Sequence, residues 1–242
     1  MSVTESTRLM EWGRERLRAG AWRGDPSIAY LNPVAGSPPP SPEFIRRCLR
    51  TLAGQGYHRV VTGALSPNEQ TAFRAAGFEP SEQLHLLAHD LRSLPVVVPA
   101  PDVTLRRAGR ADREAVLQVD ARAFDPFWRL DDGGLDEALT ATPHSRFRVA
   151  ANANGDILGY AVTGRAGRRG YLQRLAVDPS TQRSGIGSLL VVDALRWLRR
   201  WRAERAMVNT QLQNERALSL YERLGFEREP VGLAVLAADL AR

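Results

Sequence analysis

Leu172-Gln-Arg-Leu-Ala-Val-Asp-Pro-Ser-Thr-Gln-Arg-Ser-Gly-Ile-Gly187 is the stretch that decides the fold. An apolar run typical of a β-strand ends at Asp178-Pro179, a loop with two glycines follows, and residues 188–201 are apolar at helical spacing. In a strand–loop–helix of this kind, loop N–H groups and the positive end of the helix dipole converge on one point. Glycines let a phosphate come close to the backbone. The stretch therefore predicts an anion site at residues 182–188.

A second segment, Asn214-Glu-Arg-Ala-Leu-Ser-Leu-Tyr-Glu-Arg-Leu-Gly-Phe226, predicts a helix with both ends marked. Asn214 is a favourable N-cap, Glu215 suits the first turn, and Gly225 fits a left-handed stop. Asn214 and Tyr221 are seven residues apart and so share one face. The preceding loop matches neither common glycine fingerprint, because it lacks the third glycine of the dinucleotide pattern and the Gly-Lys-Ser/Thr of the P-loop.

Together the segments read Leu-Ala-Val, Gln-x-x-Gly-x-Gly and Asn-x-x-Ala-x-x-Leu-Tyr-x-x-x-Gly-Phe. This order resembles the GNAT superfamily of acyl-CoA-dependent N-acyltransferases over roughly Val103 to Leu240. The resemblance implies an α/β fold with a central mixed, mostly antiparallel sheet flanked by helices. It also implies acetyl-CoA as co-substrate, with no metal, and an N-acetyltransferase that acts by direct attack of a primary amine.

The resemblance assigns cofactor-binding roles to residues of both segments. The coenzyme pyrophosphate would lie on the glycine loop, and the pantetheine arm would run beside the strand before it. Asn214 would cap its helix and contact the cofactor, and the N–H near Val177 would face the developing oxyanion. The residues assigned are Leu175, Ala176, Val177, Gln182, Arg183, Ser184, Gly185, Ile186, Gly187, Ser188 and Asn214.

Tyr221 is the predicted catalytic residue. A phenol of pKa about 10 can protonate a leaving thiolate whose conjugate thiol has a pKa of about 8.5. The alternative is a core aromatic near the end of a helix. The motif around Tyr221 favours the catalytic role.

The general base is left open. Many relatives in the superfamily carry a glutamate where this chain has Gln173, which cannot take a proton. A bound water or a loop residue could serve, and each loop candidate could equally be a surface, cap or turn residue: Asp120, Asp125, Asp131, Asp132 or His144. A weak base would suit an amine that arrives partly deprotonated, such as an α-amine with a pKa of about 7.7–8.0.

Three aromatic residues lie in the segment that lines the acceptor groove in the superfamily. Core packing is the better interpretation for Phe124, whereas Phe127 and Trp128 could shape a site for a cationic amine. The acceptor itself stays open between an amine-bearing small molecule and a protein N-terminus.

The half of the chain before the proline-rich segment 93–101 repeats part of the half after it. Gly77-Phe78 matches Gly225-Phe226, and Phe73 falls where the other half has Tyr221. Prolines 38–40 replace the glycine loop and offer no N–H groups. We therefore expect residues 1–95 to form a smaller, degenerate, non-catalytic GNAT-like half packed against a catalytic domain of residues 102–242, with an amphipathic helix over residues 1–20.

Composition narrows the remaining function classes. All 33 basic residues are arginine, against 27 acidic ones, which fits either codon bias or a surface for an anionic partner, and we favour codon bias. Because the arginines are scattered and no recognition motif accompanies them, nucleic acid is a disfavoured partner. Cys48 stands alone, and we expect a cytoplasmic protein with no membrane partner; a homodimer stays open. The competing function is a non-catalytic acyl-CoA sensor or scaffold.

Overall fold

The structure is a computed structural model that describes residues 8–34, 36–98 and 102–240. Its contacts divide the chain into two compact units. The first comprises Met1–His85, Gln211–Gln213 and Pro230–Arg242, and the second comprises Leu86–Thr210 and Asn214–Glu229. The predicted division of roles between residues 1–95 and 102–242 stays a prediction. The proline-rich segment forms no helix or strand from residue 93 to 98, and residues 99–101 lie outside the described part.

The first unit packs two helices on a mixed sheet with the strand order β1-β2-β3-β4-β12-β5. β3 and β4 run parallel, and the other neighbours are antiparallel. Its core includes Phe44, Phe73 and Leu236. The elements are β1 (Arg8–Trp12), β2 (Glu15–Trp22), β3 (Asp25–Pro33), α1 (Pro42–Gly54), β4 (Arg59–Val61), α2 (Pro67–Ala75), the first seven residues of β5 (Glu79–His89) and β12 (Leu233–Asp239).

The helix predicted over residues 1–20 is wrong for the described part of that range. Residues 8–12 and 15–20 belong to an antiparallel hairpin instead, with Gly13 at φ +62° in its turn. Leu17 and Ala19 are buried while Arg16 and Arg18 are exposed, which is the two-residue period of a half-buried strand. Residues 1–7 lie outside the described part.

The second unit is built on a sheet with the strand order β10-β9-β8-β7-β6. β10 and β9 run parallel, and the others are antiparallel. The elements are the last four residues of β5, β6 (Thr104–Arg107), α3 (Arg113–Ala123), α4 (Asp132–Thr140), β7 (His144–Ala151), β8 (Ile157–Ala166), β9 (Arg169–Val177), α5 (Ile186–Arg200), most of β10 (Arg205–Gln211), α6 (Glu215–Arg223) and β11 (Glu227–Arg228).

Two apolar clusters belong to this second unit. One contains Leu190 and Leu195 of α5 together with Tyr221 of α6. The other, which we call the α3 cluster, contains Val116 and Val119 of α3 with Tyr160 of β8. The predicted class, a mixed α/β protein whose mixed, mostly antiparallel sheet is flanked by helices, is confirmed. No helix in the described ranges is both long and apolar enough to cross a membrane.

The repeat seen in the sequence is visible in the order of elements. In the first unit β3 leads through α1 to the parallel strand β4, and α2 and β5 follow. In the second unit β9 leads through α5 to the parallel strand β10, and α6 and β11 follow. Each copy has a glycine after its second helix in the left-handed region, Gly77 at φ +101° and Gly225 at φ +84°.

Candidate functional site

The edge of β9 opens halfway along the strand. β10 pairs with β9 only from Arg169 to Tyr171, and no strand of the described chain covers that edge from residue 172 to 177. The change occurs at Gln173, which has no partner residue on β8. Its neighbour Leu172 lies opposite Thr163, and its other neighbour Arg174 lies opposite the adjacent residue Val162. An extra residue of this kind is a β-bulge, which bends its strand and ends regular pairing. We call residues 172–177 the open edge.

The ladder with β8 determines which backbone groups face the open edge. Asp178 N–H donates to the carbonyl of Leu158 (2.8 Å), so every second residue before it, Ala176 included, turns its backbone polar groups toward β8. Leu175 and Val177 alternate with these residues and turn theirs outward. An extended ligand could pair with them as an added strand does. The predicted role of Leu175, Ala176 and Val177 in cofactor binding stays a prediction.

The open edge leads into the glycine loop, residues 182–188. Gly185 is the N-cap of α5 in the left-handed region, at φ +88°, and no side chain caps this helix start. The first N–H groups of α5, from Ile186, Gly187 and Ser188, therefore have no partner within the helix. The first turn also carries no acidic residue. Uncapped N–H groups at the positive end of a helix can bind an anion, and the predicted anion site at residues 182–188 stays a prediction.

Helix α6 lies against the same loop. A side chain at Gly187 would place its Cβ 3.3 Å from Leu220 Cδ2 and 3.7 Å from Val177 Cγ2, so the glycine permits a close approach. Arg216 donates to Gln182 Oε1 (3.4 Å), and Gln182 Nε2 donates to the carbonyl of Val177 (3.3 Å). The structure thus brings the predicted loop, strand and helix together.

Asn214 is the N-cap that the sequence predicts. Its Oδ1 accepts from Ala217 N–H (3.1 Å) at the start of α6. The amide nitrogen could donate a hydrogen bond to a cofactor while the oxygen caps the helix. Its contact with the cofactor stays a prediction.

Tyr221 is buried in the cluster that includes Leu172 and, at its margin, Leu175 and Val177. Its ring lies 5.6 Å from that of Phe226. Burial raises the pKa of the Tyr221 hydroxyl, and the positive charge of Arg174 acts in the opposite direction. The phenol is therefore protonated at neutral pH, which is the state that a general acid requires.

A buried ion pair on β9 is the feature that sequence reasoning missed. Arg174 forms two 2.8 Å hydrogen bonds to Asp120 and donates to the carbonyl of Trp128 (2.7 Å). Asp120 also accepts from Tyr160 (2.5 Å) and from Leu130 N–H (2.7 Å). The signal was an arginine inside an apolar strand, which needs a buried partner.

Asp120 is thus fully occupied and tethers α3 and the following loop to β9. The other candidate bases also have structural positions. Asp131 caps α4 through Gly134 N–H (2.7 Å), and Asp132 pairs with Arg113. Asp125 is exposed at a 3₁₀ turn, and His144 is exposed at the start of β7. The base stays unassigned.

The three aromatic residues expected at the acceptor side occupy the loop after α3. Phe124 packs at the margin of the α3 cluster, with the guanidinium of Arg174 3.5 Å from its ring centroid, which fits core packing. Phe127 and Trp128 lie edge to face, 5.0 Å apart. A wide groove along α3, with Arg110, Glu114 and Leu117 in its wall, has no lining residue from β9, α5 or α6 and is therefore separate from the open edge.

In the first unit, the position that corresponds to the glycine loop differs in chemistry. The start of α1 is capped by Ser41 and begins with Pro42. The carboxylate of Glu15 accepts from both the backbone N–H and the hydroxyl of Ser41. Phe73, which replaces a tyrosine, is fully buried. A protein carboxylate thus already occupies the helix start.

No group of three acidic, histidine or cysteine side chains that could hold a metal ion occurs in residues 8–34, 36–98 or 102–240. The expectation of a metal-free reaction stays a prediction.

Comparison with known proteins identifies similar sequences. The model of the acetyltransferase (GNAT) family matches residues 113–226. A mycothiol acetyltransferase from Saccharomonospora viridis is 33% identical over 132 residues, which cover 48% of this chain and 42% of that protein. One from Acidothermus cellulolyticus is 31% identical over 216 residues, 77% of this chain and 66% of that protein. The chain spans about half the length of the curated relatives it matches, 42% and 52% for two of them.

Solved structures show the same fold at low sequence identity. A tandem GNAT protein from the clavulanic acid biosynthesis pathway has a TM-score of 0.67 at 13% identity, covering 94% of this chain and 79% of that one. A GCN5-related N-acetyltransferase from Kribbella flavida has a TM-score of 0.62 at 16% identity, covering 98% and 91%.

Proposed function

Through residues 113–226 the chain belongs to the acetyltransferase (GNAT) family, and from this membership we propose that it transfers an acetyl group from acetyl-CoA to a primary amine. One observation carries the proposal. The open edge of β9 ends at a glycine loop whose helix-start N–H groups are uncapped. The loop would hold the coenzyme diphosphate, and Leu175 and Val177 would pair with the pantetheine arm. This arrangement would direct the thioester along β9.

The amine attacks the thioester carbonyl, a C–N bond forms, and the C–S bond breaks. An outward N–H of the open edge would stabilise the oxyanion, because it is a fixed donor at the place where charge develops. Tyr221 would protonate the departing sulfur. Burial raises the pKa of Tyr221 and so makes the phenol a weaker acid. The thiolate would leave beside the same apolar cluster, and because desolvation also raises the pKa of its conjugate thiol, the two effects offset each other.

The acceptor is an amine-bearing small molecule or a protein N-terminus. The similar enzymes are named for mycothiol, so a mycothiol-related amine is the first small molecule to test. Only the second unit would bind the coenzyme, because Glu15 and the prolines occupy the matching place in the first unit.

The second candidate is a non-catalytic acyl-CoA sensor or scaffold. It is favoured by Gln173, which stands where many superfamily members carry a proton-accepting glutamate. In this case the protein would hold acetyl-CoA without consuming it.

Thiol release separates the two candidates. Purified protein is mixed with acetyl-CoA and a panel of amines that contains dipeptides, amino sugars and polyamines, and free coenzyme A is measured with a thiol reagent. We expect at least one amine to raise the release rate above that of acetyl-CoA alone. Binding of acetyl-CoA without amine-dependent release from any compound would contradict the transferase and support the sensor.

A further inference from the structure

Gln173 has a polar atom that the protein leaves without a hydrogen bond. Its carbonyl oxygen Oε1 is buried and has no partner in the described structure. The residue is the extra one in the bulge of β9, and bulges commonly re-aim a side chain next to an active site. A buried acceptor that stays unpaired is unfavourable and calls for an explanation. A ligand that donates a hydrogen bond would provide one.

Gly164 of β8 makes room for this side chain. A Cβ at position 164 would lie 2.7 Å from Gln173 Cδ and would overlap Thr142 Oγ1. The φ angle of Gly164 is not positive, so its backbone conformation does not require a glycine. The lack of space for a side chain does. The amide of Gln173 therefore lies over a floor that has no side chain.

Gln173 is also close to the expected place of reaction. It lies two residues before Leu175, about 7 Å along the strand. Tyr160 and Val162 of β8 belong to the α3 cluster, and Gly164 continues their alternation, so the Gln173 amide lies on the α3 side of the sheet. The loop with Phe124 and Trp128, expected at the acceptor side, is joined to this side through Arg174.

We propose that Gln173 Oε1 accepts a hydrogen bond from the attacking nitrogen, and that the acceptors are amines that reach the site already neutral. The inference rests on the proposed acetyl transfer. It assigns Gln173 a substrate-contacting, positioning role and defines the substrate class by the ionisation of the amine.

Proton balance supports a neutral amine. When RNH₂ attacks, the C–N bond forms, the C–S bond breaks, and one proton must move from nitrogen to sulfur. The hydroxyl of Tyr221 gives a proton to sulfur, and its phenolate recovers one from nitrogen through water. No net proton is released, so an amide at position 173 suffices. An ammonium acceptor would release a further proton and need a base.

Among the described residues, the charged groups that face Gln173 are engaged in other contacts or lie away from it. On β9 and α3, Arg174 and Asp120 are joined to each other, and Tyr160 of β8 donates to Asp120. The charged residues of α4 are Asp132 and Asp136, both paired with Arg113, and the exposed Glu137. The side chains of His144 and Arg146 of β7 and of Arg165 of β8 lie on the face of the sheet opposite to the Gln173 amide. Tyr221 of α6 is the proposed acid.

The test compares the pH dependence of two amines. The probes are L-alanyl-L-alanine amide, with an α-amine of pKa about 7.7–8.0, and Nα-acetyl-L-lysine amide, with an amine of pKa about 10.4. For the wild-type chain, we expect kcat/KM to rise with pH and to level off at the pKa of each amine itself. One shared pKa below 8 for both amines would show that a group on the enzyme takes the proton, and would overturn the proposal.

Variants at position 173 test the contact. Gln173→Met should raise the amine KM about tenfold without changing acetyl-CoA affinity, because one hydrogen bond is lost. Gln173→Glu should keep a low KM and extend activity to lower pH, because it adds a base. The exposed Gln118→Met on α3 is the control and should behave as wild type.

Two outcomes separate this inference from the proposed function. If Gln173→Met and Gln173→Glu both matched wild type in amine KM and pH profile, the contact would be refuted while acetyl transfer stood. If the wild-type chain released no thiol with any amine, the acetyl transfer itself would be refuted, and this inference with it. Since neither variant changes the bulk of the side chain greatly, folding is preserved, which circular dichroism checks.

Discussion

The hydroxyl of Tyr221 distinguishes α6 from the matching helix of the first unit, where Phe73 occupies the corresponding position. Both rings are buried, so in each unit the aromatic ring at this position contributes to packing. Only the second unit adds the oxygen. A phenol beside the open edge of β9, with its pKa raised by burial, stays protonated at neutral pH and can donate one proton to sulfur.

Tyr221→Phe removes that proton donor while it keeps the ring. We expect kcat for acetyl transfer to fall about 100-fold, within the usual range for general acid catalysis, with acetyl-CoA affinity unchanged. Steady-state thiol release and calorimetry measure the two quantities. Tyr57→Phe in the first unit is the control and should leave kcat unchanged. Unchanged turnover in Tyr221→Phe would remove Tyr221 from the mechanism.

Asp120 has a structural role that a count of carboxylates does not reveal. Asp120→Asn leaves the guanidinium of Arg174, only 13% exposed, without its charge partner. We expect the free energy of unfolding to fall by about 3 kcal/mol, as it does when one partner of a buried pair is removed. Urea denaturation measures it. Glu204→Gln, which breaks an exposed pair with Arg168, should have little effect. Equal losses in both variants would contradict this role of Asp120.

The apolar pattern, the glycines and the capping residues of the sequence are sufficient to predict β9, the glycine loop, α5 and α6. Asn214 and Gly225 mark the start and the end of α6, and the left-handed Gly185 marks the start of α5. The bulge at Gln173 and the early end of β9–β10 pairing could not be predicted, because pairing depends on residues far apart in the sequence. The apolar pattern does not reveal the hairpin at residues 8–22, because Leu9, Met10 and Trp12 do not alternate regularly with polar residues, although Leu17 and Ala19 do.

The open edge of β9 makes a prediction for hydrogen exchange. The N–H groups of Leu175 and Val177 should exchange at least tenfold faster than that of Ala176, which belongs to the ladder with β8. Acetyl-CoA should slow the exchange at 175 and 177 and leave Ala176 little changed. NMR of the labelled protein measures each amide. Protection confined to the first unit would contradict the proposed path of the cofactor.

The glycine loop depends on the backbone conformation of Gly185. Gly185→Ala places a side chain at φ +88°, which costs about 1–2 kcal/mol and should shift the loop. We expect the Kd of acetyl-CoA to rise at least tenfold. Gly167→Ala introduces the same kind of strain at φ +57° in the β8–β9 hairpin, away from the loop, and should leave the Kd unchanged. A parallel loss of affinity in both would point to general destabilisation.

At the scale of the whole molecule, the chain contains one partial repeat with two different chemistries. The order strand, helix, parallel strand, helix occurs in each unit, yet one helix start is capped by Ser41 and bound by Glu15 while the other is uncapped. Prolines 38–40 predict only a loop without N–H groups for a phosphate, whereas the cap at Ser41 and the carboxylate of Glu15 could not be foreseen, since Glu15 comes from β2. The end of the chain returns to the first unit as β12 between β4 and β5.

The coenzyme site at the glycine loop and the open edge is the central claim, and calorimetric titration of the full chain with acetyl-CoA tests it most directly. We predict heat of binding with one acetyl-CoA per chain and a Kd between about 1 μM and 1 mM, weakened in Gly185→Ala. The absence of heat from folded protein, or two equal sites per chain, would contradict it.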